Sequence, residues 1–409
     1  MALSRRDRHR RRLAQLAAHV TAAAEPEPSL LPRIEQSIDS FTHLGRPLPM
    51  SAVGEMREST ELLGRADSGR ALRERLDADG YLLLRGVLGR PAVEAAKAQL
   101  VARLAEENGS QNDVMTAASV PLVHDVLRRG PMLEVFETLL GGAVKPLDYT
   151  WLRRKVPGPE PDASSPHCDS IFMDRGSKDL VTAWTPFTDV SLEMGGLMIL
   201  ENSYTQARYG DADEPLAEYA RIDIDAHCES HAASREVVEQ ANAESRGLRM
   251  DELELIRAGR AARLAFPDNL PDPVGGGSGA LENAHTMAEQ NVAGRWLTAE
   301  YRMGDVLLFS IYTMHGSTDN NSTHERISTD TRYQLASEPF DARWMGPDAK
   351  LNLNPHSCNN HSDFLDFVVH LANSGKCHYC RRCFGAESER CALLTPNEAT
   401  FGTALRVEI

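Results

Sequence analysis

The chain has 409 residues, of which 42% are hydrophobic and 25% charged, the composition of a globular protein that can bury a substantial core. Its formal net charge of −15 disfavours the phosphate backbone of nucleic acid as a partner, and no apolar run approaches the roughly 18 residues of a membrane-spanning helix. Seven cysteines, an odd number, favour reduced thiols over a disulfide framework. We therefore expect a cytoplasmic protein, of unassigned oligomeric state, that binds neither nucleic acid nor membranes.

The first clear elements follow an N-terminal arm. We interpret residues 1–70 as this arm, partly disordered or forming a helix wrapped on the body. A helix with Leu72 and Leu76 on one face then ends near Gly80, a turn signal, and residues 81–84 have the pattern of a short buried strand. The next segment, "RPAVEAAKAQLVARLAEENG", has proline at its start and glycine just past its end, which predicts an amphipathic helix.

Strand patterns dominate the remainder of the body. Segments rich in β-branched and aromatic residues, bounded by turn-forming residues, are "YTWLRR", "LVTAWTPF", "GGLMILENS", "WLTAEYRMGDVLLFSIYTMHGS" and "RISTDTRYQLASEP". An acidic, alanine-rich and mostly helical insertion at about residues 205–290 separates the third segment from the fourth. The sequence therefore predicts a mainly β core with flanking helices over residues 71–345, followed by a Cys/His-rich extension over residues 346–409.

A histidine and an aspartate two residues apart are the first candidate metal ligands. On a strand His167 and Asp169 share one face, because the side-chain period is two, and Cys168 points the other way. His315 follows a second predicted strand. Two histidines and one carboxylate form the facial triad of non-haem Fe(II) oxygenases, which leaves coordination positions open for a bidentate co-substrate and O2. Taken singly, each residue fits a polar turn or a structural histidine equally well.

An arginine after His315 strengthens the metal interpretation. Arg326 begins the next predicted strand, where an antiparallel return can bring its guanidinium back beside the metal. Arginine offers a rigid fork for a carboxylate, and Ser328 on the same strand face can donate a further hydrogen bond. These are the groups that the distal carboxylate of 2-oxoglutarate requires. Arg332 has the same strand parity and is the alternative anchor, unless it pairs with Asp330 or another acidic neighbour.

Charged residues also stand at the end of an earlier predicted strand. Arg153, Arg154 and Lys155 close the segment "YTWLRRK". Surface charge is the default interpretation of such a group, although it could instead meet an anionic substrate.

Several segments together resemble the phytanoyl-CoA dioxygenase family of Fe(II)/2-oxoglutarate-dependent oxygenases. They are "HCD", "LVTAWTPFTDVSLEMGGLMILENSY", "GDVLLFSIYTMHGSTDNNS" and "RISTDTRYQ". The resemblance implies a double-stranded β-helix, the jelly-roll or cupin-like fold. It also implies iron ligands at His167, Asp169 and His315 and a salt bridge from 2-oxoglutarate to Arg326. Trp184 matches a family tryptophan that lines the co-substrate pocket, and a core aromatic is its alternative role.

The resemblance implies a dioxygenase that hydroxylates a small molecule with Fe(II), 2-oxoglutarate and O2, releasing succinate and CO2. The same site could instead catalyse desaturation or cyclisation in a biosynthetic pathway, and a non-catalytic metal-binding jelly-roll protein is a third interpretation. Related halogenases have a small residue at the position of the carboxylate ligand. The presence of Asp169 therefore favours an oxygenase.

The C-terminal extension concentrates five of the seven cysteines. Its "CHYCRRC" segment places thiols three residues apart, a spacing that can converge on one ion in a turn. A structural zinc site is therefore predicted at Cys377, Cys380, Cys383 and Cys391, with an iron–sulfur cluster and free or redox-paired thiols as the alternatives.

Overall fold

The described residues form a six-stranded sheet, a four-stranded sheet, a small antiparallel pair of β1 and β2, and several helices. The structure, a computed structural model, describes residues 29–36, 39, 41–106, 120–173, 175–211, 214–221, 284 and 293–346. The strands are β1 (Thr42–His43), β2 (Arg46–Pro47), β3 (Val53–Glu55), β4 (Tyr81–Leu84), β5 (Val144–Pro146), β6 (Trp151–Lys155), β7 (Val181–Pro186), β8 (Leu197–Leu200), β9 (Trp296–Thr298), β10 (Val306–Ser310), β11 (His315–Ser317) and β12 (Arg326–Leu335).

The helices precede or separate these strands. They are α1 (Leu31–Gln36), α2 (Ser68–Asp79), α3 (Arg90–Glu106), α4 (Pro121–Arg128), α5 (Gly130–Leu140), α6 (Ser170–Met173), α7 (Ser203–Tyr209) and α8 (Pro215–Ala220). Helix α2 ends where the sequence places its turn, because Gly80 adopts a left-handed φ of 75° that caps the helix and redirects the chain into β4. Pro91 lies in the first turn of α3, where its missing N–H costs no helical hydrogen bond.

The larger sheet has six antiparallel strands in the order β4-β10-β7-β12-β5, with β6 also pairing to β12. The second sheet has the order β11-β8-β9-β3. Its last strand, Val53–Glu55, comes from the predicted N-terminal arm and runs parallel to β9. The long strand β12 pairs with β7 on one edge and with β5 and β6 on the other. Because both edges are paired, the register of its side chains is fixed.

Side-chain alternation divides the core into two parts. The inner face of the large sheet carries Tyr81, Leu83, Trp184, Leu307 and Phe309, which pack against the second sheet. The residues between them on the same strands point outward and pack beneath α2, α3, α4 and α5. Because the period is two, β4, β7, β10 and β12 are buried on both faces.

The predicted mainly β core with flanking helices is confirmed, as is the double-stranded β-helix class. Each of the five predicted strand segments contains at least one strand. The domain boundaries at residues 70 and 345 remain predictions. The greater part of the predicted insertion, residues 222–283 and 285–292, lies outside the described residues, and so does the extension from residue 347. In the part of the chain that the structure describes, no helix has the length and apolar character needed to cross a membrane.

Candidate metal centre

The two histidines predicted as ligands are joined through their backbones. The N–H of His167 donates to the carbonyl of His315 at 2.9 Å, and the N–H of His315 donates back at 3.0 Å. This reciprocal bridge attaches the segment before α6 to the edge strand β11. It places the two imidazole rings side by side, with their centroids 4.3 Å apart.

Asp169 faces both imidazoles with one oxygen. Its Oδ1 lies 3.9 Å from Nε2 of His167 and 3.9 Å from Nε2 of His315. One ligand atom from each of the three residues lies within 4.8 Å of the others, and among the described residues this is the one group of three or more potential ligands with that geometry. Cys168 is not part of it. The structure therefore brings together the three residues that the sequence singles out.

The hydrogen bonds of the imidazoles fix which nitrogen is available to a metal. His167 Nδ1 lies 2.8 Å from the carbonyl oxygen of Ser165, and His315 Nδ1 lies 3.0 Å from the carbonyl oxygen of Thr313. A carbonyl can only accept, so each Nδ1 carries the proton of a neutral ring. The lone pair of each ring is then on Nε2, which faces Asp169. Metal-binding histidines are commonly oriented in this way.

The protonation states also suit a cation. Burial, followed by the neighbouring charge of His315, lowers the pKa of His167 to about 4. Burial likewise lowers the pKa of His315. For Asp169, burial opposes ionisation, but the charge of Arg332, the two neighbouring imidazole groups and a hydrogen bond from Thr182 outweigh it, so its pKa lies below the usual range. At neutral pH the site therefore presents two neutral imidazoles and one carboxylate.

A cavity of about 280 Å³ opens beside the three candidate ligands. Its lining residues are Leu152, Arg153, Arg154, Lys155, Asp162, Ala163, Ser164, His167, Trp184, Leu197, Phe309, His315, Ser317, Arg326, Asp330 and Arg332. Most of the charged ones come from β6 and β12, which pair in register as Lys155 with Arg326 and Trp151 with Asp330. The basic end of β6 therefore forms one wall of the cavity.

Four of the five cations that line the cavity have a carboxylate partner. Within hydrogen-bonding or ion-pair distance are the pairs Arg153–Asp330 at 2.8 Å, Arg154–Glu325 at 2.5 Å, Lys155–Asp162 at 3.2 Å and Arg332–Asp169 at 2.9 Å. The fifth, Arg326, has no carboxylate partner within the described ranges. It is buried, which lowers its pKa to about 10, so it remains charged at neutral pH.

The surroundings of Arg326 contain unused hydrogen-bonding groups. One of its N–H groups donates to the carbonyl of Gly195, and its guanidinium lies 5.7 Å from the Trp184 ring centre. Its Nε, the hydroxyl of Ser328 and the indole N–H of Trp184 are buried and lack a partner among the described residues. Buried polar groups are nearly always paired, so this cluster fits an absent anionic ligand.

The sequence left the partner of one neighbour of Asp169 open and missed a second neighbour altogether. Arg332, considered as an alternative anchor or a partner of an acidic neighbour, donates to Oδ2 of Asp169, and Thr182 donates to the same oxygen. Strand parity indicated that Arg332 faces the site but could not identify its partner. Thr182 follows a leucine and a valine in a buried strand, and nothing in that pattern marks it. Lys155 is also buried rather than exposed at a strand end.

The four cysteines predicted to bind zinc lie outside the described residues. Zinc at Cys377, Cys380, Cys383 and Cys391 therefore stays a prediction from the sequence.

The profile of the family described as "Phytanoyl-CoA dioxygenase (PhyH)" matches residues 76–328, well over half of the chain. Curated proteins give no match. Solved structures similar to this chain include the non-heme alpha ketoglutarate dependent epimerase SnoN from nogalamycin biosynthesis, at 16% identity, covering 68% of this chain and 86% of that one, with a TM-score of 0.42. The carbocyclase SnoK from the same biosynthesis has 15% identity, coverages of 74% and 96%, and a TM-score of 0.44. EctD from S. alaskensis, solved with 2-oxoglutarate and 5-hydroxyectoine, has 15% identity, coverages of 72% and 84%, and a TM-score of 0.43.

Proposed function

Because the chain belongs to the phytanoyl-CoA dioxygenase family of Fe(II)- and 2-oxoglutarate-dependent oxygenases, we propose that it hydroxylates a small molecule and releases succinate and CO2. In this proposal His167, Asp169 and His315 hold the iron. Two imidazole nitrogens and one carboxylate oxygen are the donor set that suits non-haem Fe(II). When bound, the iron and 2-oxoglutarate supply the activation of O2 and the oxidation of a substrate C–H bond.

The observation that carries the proposal is the unpaired charge of Arg326. It is the one cation in the cavity lining without a carboxylate partner among the described residues, and the unpartnered hydroxyl of Ser328 is two residues away on the same strand face. Arg326 would bind the distal carboxylate of 2-oxoglutarate as a charge-assisted fork, and Ser328 would donate to it. Trp184 would close this end of the cavity with its ring and offer its indole N–H.

The other residues that line the cavity would exclude water from part of it and would hold its charged groups in place. Leu197 and Phe309 give the cavity an apolar wall beside His315, whose ring centre lies 4.5 Å from that of Phe309. An apolar wall excludes water and strengthens the electrostatic contacts of the carboxylates within the cavity. Since the other four lining cations already have carboxylate partners, only Arg326 would have its charge neutralised by the co-substrate.

The proposal is tested by 2-oxoglutarate turnover in the full-length chain. Purified protein is mixed with Fe(II), O2 and 2-oxoglutarate, and succinate is measured with Arg326→Ala, His167→Ala and Arg154→Ala in parallel. We expect His167→Ala to form no succinate. Arg326→Ala should raise the 2-oxoglutarate concentration for half-maximal rate about 10- to 100-fold, because a charge-assisted hydrogen bond contributes about 1.5–3 kcal/mol.

Arg154→Ala is the matched control. It removes another cation of the cavity lining, but one that is paired with Glu325. Its 2-oxoglutarate requirement should stay near that of the unsubstituted protein. An unchanged requirement in Arg326→Ala would place the co-substrate anchor on another residue.

Hydroxylation itself is tested by the mass of the product. Compounds that stimulate succinate release are incubated under ¹⁸O-labelled O2, and the product should gain one labelled oxygen atom. A product that instead loses two hydrogen atoms would contradict hydroxylation and indicate desaturation or cyclisation.

A further inference from the structure

We infer that Arg332 is a positioning residue that limits Asp169 to metal binding through a single oxygen atom. The inference rests on the proposed iron site and concerns how its one carboxylate ligand is held. Arg332 donates to Oδ2 of Asp169, whereas the proposed metal-binding atom is Oδ1.

Three N–H or O–H groups converge on Oδ2 of Asp169. Arg332 donates from Nη2 at 2.9 Å and from Nε at 3.3 Å, and the hydroxyl of Thr182 donates at 2.7 Å. The two residues lie directly opposite each other on β12 and β7. Both side chains are buried, with Arg332 only 3% exposed and Thr182 fully covered. Two paired strands therefore deliver these donors to the same atom.

Saturation of Oδ2 determines how Asp169 can bind a cation. A carboxylate can bind a metal through one oxygen or through both. With Oδ2 committed to Arg332 and Thr182, only Oδ1 is available, and it is the oxygen that faces both histidines. Binding through both oxygens would fill a further coordination position. The Arg332 contact thus preserves the positions that the co-substrate and O2 require.

The guanidinium is itself held in one plane. Its central carbon lies 3.8 Å from the centre of the Trp151 ring, a stacked cation–π contact. Trp151 in turn packs against Tyr149 and Trp344, at centroid distances of 4.2 Å and 5.1 Å. This aromatic support orients both N–H donors toward Asp169. A lysine could supply charge at this position but neither the fork nor the stacking plane.

These contacts also separate the roles of the two arginines of β12. Arg332 is engaged by Asp169, whereas Arg326 has no carboxylate partner in the described part of the chain. We therefore expect substitution of Arg332 to change the metal site first, and substitution of Arg326 to change the requirement for 2-oxoglutarate. The two effects are measurable in separate assays.

The experiment titrates Co(II) into the metal-free full-length protein, without co-substrate, and follows the visible absorption. The intensity of the cobalt bands reports coordination number. Arg332→Gln should weaken Co(II) binding about 10- to 100-fold, the range for groups that orient a metal ligand, and should alter the band intensity. Arg332→Lys should lie between Arg332→Gln and the unsubstituted protein, since it restores the charge without the fork.

Arg153→Gln is the control. It removes an arginine of the same cavity that is paired with Asp330 rather than with Asp169. Its Co(II) affinity should stay within about twofold and its spectrum unchanged. If Arg332→Gln shows no cooperative thermal transition, and is therefore unfolded, Thr182→Val is tested in its place. This substitution removes one donor to Oδ2 with almost no change of volume. We expect it to weaken Co(II) binding and to alter the spectrum in the same direction.

The possible outcomes separate the inference from the proposed function. If the unsubstituted protein binds no Co(II), or binds it equally well after His167→Ala, the proposed metal site is wrong. If binding depends on His167, but a folded Arg332→Gln matches the unsubstituted protein in affinity and spectrum, the positioning role is wrong. If Arg332→Gln does not fold, an unchanged Co(II) affinity and spectrum in Thr182→Val would equally show that the positioning role is wrong.

Discussion

Among single residues, Cys168 is notable because it stands between two proposed ligands and yet does not join them. Its side chain is fully buried, and its Sγ lies 3.4 Å from the carbonyl oxygen of Tyr312, away from the metal centre. Burial, and then the charge of Asp169, raises the pKa of the thiol well above its usual range. The group is therefore a protonated packing thiol at neutral pH, and neither a nucleophile nor a metal ligand.

Substitution of this cysteine should change the stability of the fold but not the affinity for a metal. Cys168→Ala deletes one buried heavy atom, so it should lower the free energy of unfolding by about 1 kcal/mol, as for the loss of a buried methyl group. The affinity for Co(II) in a titration of the metal-free protein should be unchanged. A loss of metal affinity comparable to that of His167→Ala would show that the thiol belongs to the site.

Among the elements, the turn before β8 connects the chain geometry to the cavity. Gly195 has a left-handed φ of 72°, and its carbonyl accepts a hydrogen bond from Arg326. A Cβ at this position would lie 2.7 Å from Cδ of Lys155 and 2.9 Å from the carbonyl oxygen of Thr318. Glycine is therefore required here for both conformation and space, and the turn holds Arg326 in place.

Gly195→Ala should consequently damage both stability and co-substrate binding. We expect the free energy of unfolding to fall by about 1–3 kcal/mol, because a left-handed conformation and a close backbone contact are both strained for alanine. Urea unfolding measures this change, and succinate assays should also show a higher 2-oxoglutarate requirement.

The matched control for this turn is Gly158→Ala. The nearest neighbour of the added Cβ would be the carbonyl oxygen of Val156 at 3.9 Å, an ordinary contact. Its stability should stay within about 0.5 kcal/mol of the unsubstituted protein. Equal losses in the two variants would contradict the special role of Gly195.

For the whole molecule, the two histidines of the candidate metal site link stability to pH. The folded protein holds His167 neutral down to a pKa of about 4, whereas the unfolded chain protonates this imidazole near pH 6.5. Between these values the unfolded state binds more protons, so stability falls as the pH falls. The lowered pKa of His315 acts in the same direction.

The metal-free protein should therefore lose stability between about pH 6.5 and pH 4. The contribution of His167 approaches about 3 kcal/mol, since one pKa unit corresponds to about 1.4 kcal/mol. Urea unfolding at a series of pH values, followed by tryptophan fluorescence, measures the slope. His167→Gln should flatten it. A slope as steep in His167→Gln as in the unsubstituted protein would contradict this linkage.

Local patterns were sufficient to predict the fold class and to single out three residues that the structure brings together as candidate metal ligands. The predicted strand at His167 and Asp169 is instead an isolated bridge and a turn before α6, yet both side chains still meet at the site, and the antiparallel return brings Arg326 back to the cavity. Parity could not identify the partner of Arg332, because Asp330 is only two residues away in the sequence, whereas Asp169 lies in a distant segment. That choice is made by the pairing of Asp330 with Arg153 on β6, a long-range contact that no short pattern records.

The burial of Lys155 was missed for a related reason. A basic residue at a strand end is ordinarily exposed, but the carbonyls of Asp162 and Thr318 both accept from its ammonium group at 2.6 Å. These acceptors come from two separate loops. Burial of a charge depends on such tertiary partners, which follow from the fold and not from the neighbouring residues.

The backbone bridge between His167 and His315 has a consequence for how such a site can diversify. The separation of the two histidines is fixed by main-chain hydrogen bonds, which do not depend on the identity of nearby side chains. Residues of the cavity wall, such as Arg154, can therefore be exchanged while the separation of the two histidines is preserved. The cavity wall and the spacing of the two histidines are therefore independent of each other. A changed wall can fit a different substrate while the two histidines keep their separation.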